Sequence, residues 1–249
     1  GSARSDIVFV DPIIGVGELA ISDHRSSQPT LDEFLRIASE AHVAGLMTGK
    51  AGILHIHMGD GKRGLELVRE ALDHSEIPAR VFNPTHINRN KTLFEEALPL
   101  SLRGVRLDVT AFPEGHSDPG WSAAEAFLRY RKGDFPLDKL TISSDGGGCL
   151  PHFNEEGEPV RMGVGCSSTL SETLREILSH KVPMAQALAP FTTNVADLLK
   201  LSHKGRLQQG KDADMVVLDK HNNITDVMAR GRWHKRHGQT QIFGTYERS

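Results

Sequence analysis

The sequence predicts an α/β fold in which buried parallel strands alternate with helices, and three observations point to it. Five apolar segments rich in β-branched residues are each followed, directly or after a loop, by a stretch with helical periodicity. The connections are long enough to hold a helix that crosses over between parallel strands. The apolar, β-branched character of the strand segments indicates burial on both faces of the sheet. The five predicted strands span residues 13–18, 53–58, 81–86, 105–110 and 140–145.

The predicted helices occupy the segments between these strands. The first begins at Thr30, because Thr30 and Glu33 form a capping-box pattern ahead of a periodic apolar run. A long loop is expected to follow the fifth strand. Further helices are predicted at residues 62–73, 91–102, 122–131 and 168–180, with helical turns in residues 183–201.

The pattern changes after Lys204 to short apolar segments separated by glycine turns. Such a pattern is typical of β-hairpins and predicts a small sheet outside the α/β body. We therefore expect a boundary between an α/β body of residues 1–204 and a C-terminal β segment of residues 205–249.

The composition excludes several classes of function. The chain of 249 residues has a formal net charge of -3 and 38% apolar residues, so a buried core is available and no basic surplus favours nucleic acid. No apolar run approaches the roughly 20 residues that span a bilayer, and we expect no membrane association. The two cysteines, Cys149 and Cys166, are too few for a disulfide framework, which fits a reducing compartment and predicts a cytoplasmic protein.

Polar side chains collect at or just after the carboxyl ends of four predicted strands. They are Glu18, His57, His86 and Asp145. In a parallel α/β barrel these strand ends converge on one edge, and that edge carries the active site. Imidazole and carboxylate groups suit zinc or a similar divalent ion. Each residue alone is more often a packed histidine or a helix cap, but four of them at four of five strand ends favour a metal site.

Two arginines stand near these residues in the sequence, Arg25 and Arg89. Most arginines are solvated surface residues, but a guanidinium beside a metal site can bind a carboxylate through two parallel hydrogen bonds. Asp145 is followed by three glycines, which allow the backbone to approach a ligand closely.

Four motifs occur in a fixed order, AISDHRSSQP, HIHMGD, NPTHINRN and TISSDGGG. Together they resemble the isoaspartyl (β-aspartyl) dipeptidases of the amidohydrolase superfamily. The tail GRLQQGKDADMVVLD is similar to the point at which amidohydrolase chains return to their small β-sandwich. The resemblance runs from residue 1 to residue 249. It implies a TIM-type (β/α)8 barrel, with the C-terminal residues forming part of a β-sandwich.

The resemblance implies a centre of two divalent metal ions, usually Zn²⁺. His57 and His86 would bind one ion, and Asp145 would bind the other and act as general acid and base. Some family members bridge the ions with a carbamylated lysine, and Glu18 takes that position here. A carboxylate has two oxygens and one negative charge, as a carbamate has, but it reaches less far, so the backbone must come closer.

The resemblance also implies the substrate contacts and the reaction. Arg25 and Arg89 would hold the free carboxylates of a β-aspartyl dipeptide, and a hydroxide between the ions would attack its side-chain amide. Cys149 stands where the family often has a serine that helps to bind substrate. A thiol is a poorer hydrogen-bond donor than a hydroxyl, which weakens the expectation for this contact.

The order of the motifs identifies the strands of such a barrel. Asp145, His86, His57 and Glu18 would end strands eight, six, five and four, so strands one to three and their His-x-His pair have no counterpart. We therefore expect the C-terminal portion of an enzyme, inactive alone until a missing N-terminal segment completes the barrel. His55 faces the same interior as His57, one layer deeper, and is assigned to packing or to an outer shell around the metal.

Two alternatives stay open. The chain could be a non-catalytic scaffold or fragment that kept the amidohydrolase fold, or a sister enzyme that acts on cyclic amides or N-acyl amino acids. Two arginines beside the site favour a dipeptide with free carboxylates. The exposed edge strands of a partial barrel also lead us to expect association, and we predict a homo-oligomer.

Overall fold

Five parallel strands form one layer in this computed structural model, which describes residues 1–113, 120–153 and 159–245. Strands β1, β2 and β3 pair in that order, and β4 pairs with β5. All of these pairs are parallel, as the sequence predicts. The bounds are β1 Val16–Ile21, β2 Leu54–Met58, β3 Phe82–Thr85, β4 Leu107–Thr110 and β5 Leu140–Ser143.

Strands β3 and β4 lie side by side without a regular ladder between them. Arg106 donates its backbone N–H to the Phe82 carbonyl at 3.4 Å, and Ile87 donates to the Asp108 carbonyl at 3.3 Å. Between these two contacts stands Pro84, which has no N–H, and by alternation its nitrogen lies on the β4 side, as the Phe82 carbonyl does. The gap in the backbone hydrogen bonding between β3 and β4 therefore coincides with Pro84, the one β3 residue without a backbone N–H to donate.

The helices cover this layer and bury its apolar side chains. Helix α2 begins at the capping box of Thr30 and Glu33, as predicted. Phe34 of α2 stacks on Phe82 of β3 with ring centroids 5.6 Å apart. The helices are α1 Ala3–Phe9, α2 Leu31–Thr48, α3 Glu66–His74, α4 Lys91–Leu102, α5 Ala123–Lys132, α6 Thr169–Ser179, α7 Met184–Leu188 and α8 Thr193–Leu198. Short 3-10 turns occur at Ala79–Val81, Leu137–Lys139 and Ala189–Phe191.

Two expectations from the sequence were wrong. Strand β1 begins and ends three residues later than predicted, so Glu18 lies inside the strand rather than at its end. The cause is the pairing of its last residues with β2, in the register Ala20 to His57 and Ile21 to Met58. The long loop predicted after β5 contains an antiparallel hairpin of β6 Cys149–Phe153 and β7 Pro159–Val164.

The C-terminal residues form a separate antiparallel sheet in the order β11, β10, β9 and β8. Its strands are β8 Met215–Leu218, β9 Ile224–Ala229, β10 Arg232–Arg236 and β11 Gln239–Thr240. The hairpins predicted after Lys204 are therefore present, whereas the exact boundary stays a prediction. In the part of the chain that the structure covers, no helix has both the length and the apolar character needed to cross a membrane.

Candidate metal centre

Three side chains from three neighbouring strands meet on one side of the parallel layer. Glu18 is the third residue of β1, His57 the fourth of β2, and His86 directly follows β3. Glu18 Oε2 lies 3.1 Å from His57 Nδ1, and Glu18 Oε1 lies 3.7 Å from His86 Nε2. These residues offer one ligand atom each within 4.8 Å of one another, which brings together three of the four predicted ligands.

A glycine next to Glu18 permits the close approach that a short carboxylate needs. A Cβ atom at Gly17 would lie 2.6 Å from His55 Cβ, a distance that real Cβ atoms do not show. Gly17 therefore lets β1 run tightly against β2 at this level. Glu18 reaches less far than a carbamylated lysine, and the backbone is correspondingly near the imidazoles.

His57 and His86 face Glu18 through different ring nitrogens. The other nitrogen of each ring contacts a second side chain. His57 turns Nδ1 to Glu18, while its Nε2 lies 3.3 Å from Asp23 Oδ2. His86 turns Nε2 to Glu18, and its Nδ1 shares a hydrogen bond of 2.7 Å with Thr110 Oγ1. Metal-binding histidines show this arrangement, because the outer partner fixes the ring and leaves the inner nitrogen free for the ion.

His86 is held rigidly in a buried position. Its backbone adopts a φ of 61°, and the residue is 3% exposed. Its partner Thr110 is locked by Asn88, whose Oδ1 accepts the Thr110 backbone N–H at 2.8 Å and whose Nδ2 donates to the Thr110 carbonyl at 2.9 Å. The His57 and His86 rings meet edge to face with centroids 4.8 Å apart. The position of the His86 imidazole is therefore fixed from two sides.

The charge of Glu18 suits a cation site. The neighbouring imidazole of His57, followed by that of His86, holds the pKa of the Glu18 carboxyl well below its usual range. One carboxylate and two imidazole nitrogens are ligands that zinc and similar borderline ions accept. The donor set therefore fits the divalent metal that the sequence predicts.

Asp145, the fourth predicted ligand, lies outside this cluster in the described ranges. It follows β5 with a φ of 49°, and its carboxylate lies against Gly148, where a Cβ atom would be 2.3 Å from Asp145 Oδ1. The glycine run after Asp145 thus gives its carboxylate room. The metal-binding and acid-base roles of Asp145 stay predictions.

An aspartate holds each of the two predicted substrate-binding arginines, and Arg25 is linked to His57 through its aspartate, Asp23. Arg25 donates Nε and Nη2 to the two oxygens of Asp23, at 3.0 and 2.7 Å. Arg89 donates Nε to Asp60 Oδ2 at 3.1 Å, and its Nη1 lies 3.5 Å from His57 Nε2. The arginines are therefore oriented by neighbours within the chain.

Sequence reasoning missed the two aspartates, although both lie inside the motifs. Asp23 stands two residues before Arg25, and it is 6% exposed. Asp60 ends the HIHMGD motif and also accepts a hydrogen bond from Asn90 at 2.9 Å. Cys149, the remaining predicted contact, is an exposed free thiol at the first position of β6, and its role stays a prediction.

Comparisons with known proteins identify relatives of this chain. The model of the amidohydrolase family matches residues 15–234. A crystal structure of the β-aspartyl dipeptidase from Fervidobacterium islandicum AW-1, in complex with β-Asp-Leu, is 40% identical with a TM-score of 0.92 and covers 98% of this chain. A second structure of that dipeptidase is 38% identical, with a TM-score of 0.86 over the same share of this chain. These matches confirm the resemblance carried by the four motifs.

The similarity extends over only part of the related proteins. This chain covers 63% and 62% of the two Fervidobacterium chains. A curated deacetylase from Brucella anthropi is 28% identical over 167 residues, which are 66% of this chain and 37% of that protein.

Proposed function

The chain belongs to the amidohydrolase family, and from this premise we propose that it carries the metal centre of a hydrolase for β-aspartyl (isoaspartyl) dipeptides. Its fold is the amidohydrolase fold, of the TIM-barrel type. The observation that carries the proposal is the cluster of Glu18, His57 and His86, flanked by two oriented arginines, in a chain 40% identical to a β-aspartyl dipeptidase.

The finer assignment of the fold is part of the proposal. Strands β1 to β5 correspond to strands four to eight of the family barrel, and β8 to β11 correspond to part of its β-sandwich. The division between the two lies near residues 204 and 205. The strand order fits this assignment because, among the described strands, β1 pairs only with β2 and β5 pairs only with β4.

Glu18 would supply the shared carboxylate that helps to hold two divalent ions, and Zn²⁺ suits the ligands best. Its carboxylate lies near both imidazoles, with Oε2 3.1 Å from His57 Nδ1 and Oε1 3.7 Å from His86 Nε2. When bound, the ions polarise the amide carbonyl and lower the pKa of the attacking water. His57 and His86 would hold one ion, and Asp145 would contribute to the other.

The remaining residues orient the substrate and move the proton. Asp145 accepts the proton of the attacking water and delivers it to the leaving amine nitrogen. Arg25 uses Nε and Nη2 on Asp23, which leaves Nη1 for a substrate carboxylate. Arg89 lies near His57 on the same side of the layer, where a second carboxylate of a dipeptide could be bound.

Hydrolysis of β-Asp-Leu tests the proposal, with an N-acetyl amino acid and a cyclic amide as comparison substrates. The zinc-loaded chain is assayed alone and mixed with the part of the Fervidobacterium islandicum dipeptidase that it does not match. We expect turnover of β-Asp-Leu in the mixture and its loss in Asp145→Asn.

Other outcomes would assign another function. Turnover of the N-acetyl substrate alone would favour the acyl-amide activity suggested by the Brucella anthropi deacetylase. Tight zinc binding without turnover of any substrate in either preparation would favour the scaffold.

A further inference from the structure

A third imidazole, that of His55, also faces Glu18. His55 lies two residues before His57 on β2, so the two side chains project from the same face of the strand. His55 Nε2 lies 3.7 Å from Glu18 Oε1, the same distance as that between His86 Nε2 and this oxygen. From the sequence, His55 is assigned to packing or to an outer shell, and not to direct metal binding.

Hydrogen bonds fix which nitrogen of His55 carries the hydrogen. Asn83 Nδ2 donates to the Arg106 carbonyl at 2.7 Å, and a carbonyl can only accept, so the orientation of the Asn83 amide is determined. Asn83 Oδ1 then faces His55 Nδ1 at 2.7 Å. Because an amide oxygen can only accept, His55 Nδ1 must donate, and in the neutral ring Nε2 carries the lone pair.

The Nε2 atom that carries this lone pair lies near the carboxylate of Glu18. Glu18 Oε1 lies 3.7 Å from His55 Nε2, and two acceptors at this distance gain nothing from each other. A cation between them would be bound by both. His57 and His86 show the same pattern, with an outer partner on one nitrogen and Glu18 opposite the other.

The position is open to an ion. The His55 side chain is 31% exposed. Glu18, His55, Asn83 and Asp108 line one cavity of about 720 Å³. In the described residues His55 lies outside the group of Glu18, His57 and His86, whose ligand atoms are all within 4.8 Å of one another.

We propose that His55 Nε2 is a ligand of the second divalent ion bridged by Glu18, and that Asn83 fixes it for this role. The inference rests on the metal centre of the proposed function. It assigns to this ion a nitrogen ligand from β2, in addition to the predicted Asp145.

Proton NMR of the cobalt(II)-loaded chain tests the proposal directly. A histidine bound to cobalt shows its other ring N–H as a strongly shifted signal that disappears in D2O. With the ¹⁵N-histidine-labelled chain saturated with Co²⁺, we expect three such signals, from His55, His57 and His86. The count is made on the unmodified chain and so does not depend on the folding of a variant.

Variants assign the signals. His55→Phe should remove one signal and weaken Co²⁺ binding on the order of 10-fold. The matched control is His203→Phe, which changes an exposed histidine outside the cluster of Glu18, His57 and His86 and should leave three signals.

The possible results separate the two proposals. Two signals in the saturated unmodified chain, both kept in His55→Phe, would overturn ligation by His55 and leave the centre of Glu18, His57 and His86 intact. The absence of shifted histidine signals from the unmodified chain would overturn the metal centre itself, and with it the role of His55.

Discussion

Asp23 Oδ2 lies 3.3 Å from His57 Nε2, and the same carboxylate receives both hydrogen bonds of the Arg25 fork. Asp23 is 6% exposed, and the hydrogen bond from the Arg25 side chain holds the pKa of its carboxyl well below the usual range. One buried anion thus orients a proposed metal ligand and a proposed substrate-binding arginine. A change at Asp23 should affect both functions together.

Substitution Asp23→Asn should weaken zinc binding by about 10- to 100-fold, the usual loss when the outer partner of a metal-binding histidine is removed. Zinc affinity is measured by competition with a chromophoric chelator. The control is Asp73→Asn, which removes a surface ion pair with Arg103 and should leave the affinity unchanged. Equal zinc affinities in the unmodified chain, Asp23→Asn and Asp73→Asn would show that Asp23 does not orient His57 for metal binding.

Metal uptake should not depend on carbon dioxide, because Glu18 supplies the bridging carboxylate without modification. We expect equal zinc content after reconstitution in buffer purged of carbon dioxide and in buffer with added bicarbonate. Glu18→Ala should lose zinc under both conditions. A clear bicarbonate requirement in the unmodified chain would show that Glu18 is not the bridge.

Substitution Arg89→Lys keeps the charge but loses the planar fork that also binds Asp60. We expect kcat/KM for β-Asp-Leu to fall about 10-fold or more, as for a lost charge-assisted hydrogen bond of about 1.5–3 kcal/mol. The measurement uses the preparation that turns over this dipeptide. Arg103→Lys, at a surface pair with Asp73, is the control and should keep full activity. Unchanged kinetics in Arg89→Lys would remove Arg89 from the substrate site.

Buried Tyr130 should make the free energy of unfolding decrease at high pH. It is fully buried, its hydroxyl donates to the Pro136 carbonyl at 3.0 Å, and burial raises its pKa to about 12. Since the unfolded chain has the ordinary tyrosine pKa of about 10, the folded state keeps the proton longer. The stability due to Tyr130 is therefore complete below about pH 10 and decreases as the pH rises towards 12.

Urea unfolding of Tyr130→Phe at pH 7 and pH 11 measures this effect. At pH 7 the variant should be less stable by about 1 kcal/mol, because it lacks the hydrogen bond to Pro136. At pH 11 the unmodified chain should have lost about 1 kcal/mol through Tyr130, so the difference should nearly vanish. A difference that is the same at both pH values would contradict the raised pKa.

The sequence predicted the features that depend on local pattern. Strand and helix alternation, the Thr30 capping box and the three clustered residues Glu18, His57 and His86 follow from periodicity and from the position of polar residues near strand ends. The hairpin of β6 and β7 was missed, although Val160, Met162 and Val164 alternate with other residues. The surrounding glycines and prolines favoured a loop instead.

The contacts between side chains could not be predicted in the same way. Residue types show that Asp23 and Arg25 can pair, but not that Asp23 also contacts His57. The late end of β1 depends on its register with β2, which places Glu18 within the strand. Such features arise from the relative position of elements, which periodicity does not determine.

X-ray absorption at the zinc edge tests the central claim most directly, that Glu18, His57 and His86 hold a divalent ion. The account predicts zinc with only nitrogen and oxygen neighbours at about 2.0–2.2 Å. Scattering from imidazole rings should decrease, together with the zinc content, in His57→Ala and His86→Ala. Sulfur neighbours at about 2.3 Å would point to Cys149 or Cys166 instead. Such neighbours, or a spectrum unchanged in both variants, would contradict the account.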